Sequence, residues 1–168
     1  MIVACGFDHA GVPLRERLLS LIEAEGHQVL DLGTDRTDPI DYPEKALAVG
    51  RAVVDGRADR GILVCGSGAG VSVAACKIQG IRAATIHDTY TAHQGVEHDG
   101  VNVLCMGARV IGIALAVEIA TAFLAAEISD EERHVRRRHE VDEIERTGGS
   151  AEATGLVQEI ERSGGSVE

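Results

Sequence analysis

The chain is predicted to adopt an α/β fold, with a parallel sheet of five strands covered by helices on both faces. Two observations predict it. Five apolar runs, each short enough for a strand, alternate with stretches whose apolar residues recur at helical spacing. Between the third run and the helix after it stands Cys65-Gly66-Ser67-Gly68-Ala69-Gly70, a glycine loop where a buried strand turns into a helix. Strands that alternate with helices pair in parallel through right-handed crossovers. Ligands of such sheets bind beyond the strands' carboxyl ends.

Residues 2–6 form the first apolar run, and residues 12–25 follow as a helix with Leu14, Leu18, Leu21 and Ile22 on one face. Residues 27–32 alternate as a strand does. Residues 42–55 form a second amphipathic helix, with Pro43 suited to its first turn. Three more strands are expected over 60–65, 82–87 and 101–106, and helices over 71–78, near 89–97 and over 111–126. Gly6-Phe7-Asp8-His9, the Cys65 loop and His87-Asp88 all fall at strand ends. They should therefore meet on one edge of the sheet.

Past Ala126 the character changes. Ser129-Asp130-Glu131-Glu132 has the pattern of a capping box, with Ser129 as cap and Glu132 three residues on. The charged stretch 133–146 follows, with Val135, Val141 and Ile144 as its sparse apolar positions. So narrow an apolar face suits a helix that lies across a neighbouring element or subunit. Gly148-Gly149-Ser150 then opens an extension, residues 148–168, in which 157–165 echo 141–149. A single echo is too little for a solenoid. The main domain is expected to span residues 1–147, and the extension to be flexible or lightly docked.

With 168 residues, 45% of them hydrophobic, the chain can build one domain around one core. The longest apolar runs fall short of a membrane span, and residue 2 already opens a strand, so a cytoplasmic protein is expected. Its four cysteines show neither CxxC spacing nor a Cys/His metal pattern, which argues against a disulfide framework or a metal site. A formal charge of −11 with 2% aromatic residues disfavours nucleic acid, which would be repelled and would find few rings to stack on. An anionic small molecule would need a local cluster of positive charge.

The glycine loop can do chemistry. Bare amides surround an oxyanion, and the positive end of a helix favours a thiolate over a thiol, so a cysteine there serves as base or nucleophile. Familiar loop motifs fit it poorly. A dinucleotide fingerprint anchored at Gly66 and Gly68 needs a third glycine where Val71 stands, although Asp88 lies about 20 residues on as that fold requires. A Walker A loop needs a Gly-Lys-Ser/Thr that is missing, and a cysteine phosphatase loop needs arginine at Val71. Simpler roles stand beside the chemical ones: Cys65 as a small packing residue, Asp8 as a helix cap, Tyr42 as a packing ring, His98 as a solvated histidine at a helix end. Cys5, Cys76 and Cys105 are read as packing residues, and His87 has no assigned role.

Taken together, Gly6-Phe7-Asp8-His9-Ala10-Gly11, Asp41-Tyr42-Pro43, the Cys65 loop, His98, Gly107-Ala108-Arg109 and Arg133/Arg137 resemble, in order over about residues 1–146, the type B ribose-5-phosphate isomerases and the galactose-6-phosphate isomerase subunits. The resemblance implies a Rossmann-like three-layer α/β/α fold whose C-terminal helix docks on a neighbouring subunit. It implies a homodimer or tetramer with active sites shared between subunits, no metal and no cofactor. The implied activity is aldose–ketose isomerisation of a sugar phosphate through an enediolate.

Carried onto this chain, the resemblance makes Cys65 the base between C1 and C2, since Val71 stands where a second branch of the family has glutamate. Ser67 would move the hydroxyl proton, and the amides of residues 66–70, from Gly66 through Gly68 and Ala69 to Gly70, would hold the oxyanion. Asp8 and His98 would open the sugar ring. His9, Arg109, Arg133 and Arg137 would grip the phosphate, with Tyr42 lining the site; spacing alone already puts Arg133 and Arg137 on one helix face. Asp99 departs from the pattern, standing where relatives carry asparagine, as does Cys76 for another asparagine. An ionised aspartate accepts hydrogen bonds and donates none, so the substrate stays open among four-, five- and six-carbon sugar phosphates. Two other classes also stay open, a non-catalytic phosphosugar-binding protein and a small dinucleotide-binding domain.

Overall fold

Strands β1 (Ile2–Phe7), β2 (Gln28–Asp31), β3 (Arg60–Cys65), β4 (Ala83–Thr85) and β5 (Val103–Gly107) form one sheet in the order β2-β1-β3-β5-β4. Every neighbouring pair is parallel, as expected. The structure, a computed structural model, describes residues 1–149, so almost all of the expected extension lies outside the described residues. Six helices accompany the strands: α1 (Val12–Ala24), α2 (Tyr42–Val54), α3 (Ala69–Ala75), α4 (Thr89–Asp99), α5 (Ile113–Ala125) and α6 (Glu132–Thr147). The chain divides into two compact units, Met1–Ile128 and a second that begins at Ser129 and holds α6.

The period of two along the strands splits the core into two layers. Val3, Cys5, Phe7, Ile62, Val64, Leu104 and Met106 face α1, α4 and α5. Ala4, Leu63, Cys65, Val103 and Cys105 face α2 and α3. The apolar residues read on the first helix, Leu14, Leu18, Leu21 and Ile22, are all buried. Among the described residues no helix is long and apolar enough to cross a membrane.

Element ends differ from expectation for local reasons. β4 keeps only three of its six expected residues, because it is an edge strand that pairs with β5 alone, over Ala83–Thr85. α3 starts two residues early, because Gly68 takes a left-handed φ of 82° and turns the chain into the helix at once. The capping box does not form. Glu131 rather than Ser129 occupies the N-cap, and the Ser129 hydroxyl instead accepts from the Glu131 amide at 3.2 Å and meets His134 Nδ1 at 3.0 Å.

Arg60, at the start of β3, closes the end of α5. Its guanidinium donates to the carbonyls of Phe123, Leu124 (3.4 Å) and Ala126 (2.6 Å) and lies 5.3 Å over the Phe123 ring. Those carbonyls are the last ones of a helix, which have no partner within it. Partial burial lowers the Arg60 pKa from its ordinary value without threatening its charge. Arg60→Met keeps the aliphatic stem and removes the donors, and it should cost about 1–2 kcal/mol of stability. A urea denaturation midpoint equal to that of the wild type would show that water replaces these bonds freely.

Candidate active site

Strand ends β1, β3 and β5 deliver their following residues to one edge of the sheet, where a cleft of about 380 Å³ opens. Asp8, His9 and Ala10 line it from the end of β1, Cys65, Gly66, Ser67 and Gly70 from the end of β3, and Arg109 and Val110 from beyond β5; Tyr42 completes it from the start of α2. Eight of the sequence-predicted site residues thus meet. Ala10 and Val110 line it without having stood out in the sequence, each beside a residue that does.

Asp8 is 5% exposed, and its Oδ1 accepts from the amides of Ala10 (2.8 Å) and Gly11 (2.9 Å). Gly11 is the N-cap of α1 with no side-chain cap bond, so Asp8 organises a turn rather than a cap. Both amides fall on the same oxygen, Oδ1. The Ile40 amide donates to His9 Nδ1 at 3.2 Å, which puts the imidazole proton on Nε2. Nε2 is then a donor, as an anion requires.

Cys65 is also 5% exposed, and the Gly68 amide donates to its sulfur at 3.1 Å. Gly68 is required here twice over. Besides its positive φ, a Cβ would lie 3.0 Å from the Met106 carbonyl carbon and from Thr85 Cγ2. Thr85 Oγ1 also donates to the Gly68 carbonyl at 3.1 Å. The Ala69 amide bonds the exposed Ser67 hydroxyl at 3.3 Å. The amides of Gly68 and Ala69 thus bond within the loop, and neither residue is among those that line the cleft.

Tyr42 packs and lines at once, for its ring lies where a Cβ on Gly70 would come within 2.9 Å of it. Arg109 is fixed through its backbone, whose amide donates to the Gly66 carbonyl at 3.0 Å, while its side chain runs over Gly66. Burial first, and then the Asp31 carboxylate, pushes the Cys5 thiol up to about 12, and burial likewise pushes Cys105 far up. Neither is a base near neutral pH. Cys76, expected to pack, is exposed, with its sulfur 3.2 Å from the Ala83 carbonyl.

His98 and Asp99 stand elsewhere. α4 starts at the carboxyl edge, where the Asp88 carboxylate caps it by accepting from the Thr91 amide at 2.7 Å. It then runs back along the sheet for 11 residues, about 16 Å. Its last turn reaches the opposite edge, where the Asp99 carbonyl accepts from Arg82 at 2.7 Å just ahead of β4. Arg133 and Arg137 lie on α6, both exposed, with Arg133 bonded to Glu131 at 2.7 Å.

The sequence profile of the Ribose/Galactose Isomerase family matches residues 3–141. The chain belongs to this family. Among its relatives is ribose-5-phosphate isomerase B of Escherichia coli, 39% identical over 85% of this chain and 95% of that protein. D-erythrulose-4-phosphate isomerase of Pectobacterium atrosepticum is 42% identical over 74% of this chain and 83% of that one. In three dimensions the ribose-5-phosphate isomerase B of Clostridium thermocellum superposes with a TM-score of 0.84 at 39% identity, covering 88% of this chain and 99% of that one. Family membership thus rests on sequence and on fold together.

Proposed function

We propose that this protein interconverts the aldose and ketose forms of a sugar monophosphate, with ribose 5-phosphate and ribulose 5-phosphate as the first pair. The observation that carries this reading is a sulfur held by a backbone donor in the wall of a cleft that also presents a buried carboxylate, a histidine donor and an arginine. Cys65 as thiolate takes the proton from C2 and returns it to C1, while Ser67 moves the hydroxyl proton between O1 and O2. Positive and polar groups around the loop balance the enediolate charge that develops between these steps. Asp8 and His98 open the ring, and His9, Arg109, Arg133 and Arg137 hold the phosphate. Guanidinium forks suit phosphate oxygens and supply the positive cluster that an acidic chain needs.

A catalytic set that includes His98 and Asp99 must draw them from a second copy, because their own α4 carries them to the far edge of the sheet. This supports a homodimer or tetramer with shared sites, α6 docking on a neighbour, residues 1–147 acting as the isomerase domain and 148–168 as an extension. A cytoplasmic location suits such a substrate. The D-erythrulose-4-phosphate isomerase relative favours a second reading, a four-carbon substrate, which Asp99 leaves open.

A panel of four-, five- and six-carbon aldose phosphates, assayed for ketose formation in D₂O, tests the proposal. The five-carbon pair should turn over fastest and acquire deuterium at C1 of the ketose and, on reversal, at C2 of the aldose. Fastest turnover of the four-carbon sugar would establish the second reading. Binding without exchange would make the protein a phosphosugar sensor, and saturable micromolar binding of NAD(H) would make it a dinucleotide-binding domain.

A further inference from the structure

His87 follows β4 and does not line the cleft, yet one atom of it meets the machinery. The Gly107 amide donates to His87 Nε2 at 2.9 Å, which makes this half-buried imidazole a neutral acceptor with its proton on Nδ1. Gly107 in turn lies directly against Ser67. A Cβ on Gly107 would stand 2.6 Å from the Ser67 carbonyl carbon and 2.8 Å from its Cα, so the two backbones are in van der Waals contact with no side chain between them. Thr85, two residues before His87, holds the Gly68 carbonyl of the same loop. The end of β4 thus braces the loop at two points.

We infer that His87 is a positioning residue of the isomerase reaction: by accepting from Gly107 it presses that backbone against Ser67 and keeps the Ser67 hydroxyl where proton transfer needs it. The inference rests on the reading given under Proposed function. Its expected signature follows from how the neighbouring parts are held. Arg109, two residues past Gly107, has its own bond to the Gly66 carbonyl, and the Ala108 amide donates to the Cys65 carbonyl at 2.9 Å. The phosphate-binding arm therefore stays anchored when His87 lets go, and the loss falls on kcat rather than on KM. The adjacent Asp88 is committed to capping α4 and offers Gly107 no substitute acceptor.

The test compares His87→Leu with His87→Gln, whose Oε1 reaches about as far as Nε2 and still accepts. Loss of one well-placed hydrogen bond is worth about tenfold. His87→Leu should lower kcat on the five-carbon sugar about tenfold with KM within about twofold, and His87→Gln should recover most of that loss. Equal kinetics for the two variants, or a rise in KM in place of the fall in kcat, overturns the inference. Nitrogen NMR of the wild-type imidazole gives a readout free of folding effects, since Nε2 must be the unprotonated nitrogen; a protonated Nε2 overturns it as well. A wild type that turns over no sugar of the panel defeats the isomerase reading itself, an outcome distinct from two variants that behave alike beside an active wild type.

Discussion

Cys65→Ala should lower kcat by about 10³-fold or more, the range supplied by a positioned acid–base group, while the fold and the hold on the phosphate survive. The substitution removes one sulfur from a cleft wall, and the donors around it belong to the backbone, so the loop keeps its path. No other thiol takes its place. Cys5 and Cys105 are held protonated by burial, and Cys76 is exposed beside the Ala83 carbonyl rather than in the cleft. Circular dichroism and thermal unfolding verify the fold, and protection by inorganic phosphate verifies the anion site. Turnover within tenfold of the wild type would remove Cys65 as the base, and with it the enediolate mechanism proposed for this cleft.

Gly107→Ala should be less damaging to rate but worse for stability. The added methyl would meet Ser67 main-chain atoms at 2.6–2.8 Å, and main chain cannot rotate out of the way as a flexible side chain does. Displacing Ser67 by a substantial part of an ångström should cost about 10²-fold in kcat, and the overpacking about 1–3 kcal/mol. Gly112→Ala is the control, because a Cβ there meets nothing within 4 Å. Steady-state kinetics and urea unfolding of the pair decide the matter: two variants alike in both measurements would show that the loop shifts without consequence, and Ser67 would lose its assigned role.

How far the sequence foretold this molecule can be judged from particular elements. β1 and β3 came out within a residue of expectation, because their apolar runs are bounded by polar or glycine residues and fully buried strands carry little else. β4 did not, because an edge strand is limited by its one partner and not by its own composition. Ser129 looked like a cap, yet the helix began two residues later, since a capping pattern competes with local turns that satisfy the same hydroxyl. In the site, Asp8, His9, Cys65 and Ser67 were legible as polar residues at strand ends, and Arg109 through the family resemblance. Tyr42, at the start of a helix distant in the chain, was legible through the family resemblance.

Periodicity, glycine placement and strand-end polarity are properties of the chain itself, and they sufficed for the α/β class, the parallel sheet and the edge at which the cleft opens. Pairing order, tautomers and close approaches are not local properties. The order β2-β1-β3-β5-β4 brings the end of β4 beside β5, so that His87 reaches Gly107 and Gly107 reaches Ser67. The reversal of α4 carries His98 away from the sulfur. Each of these depends on distances between residues far apart in sequence, and such distances exist only once both core layers have closed on the sheet.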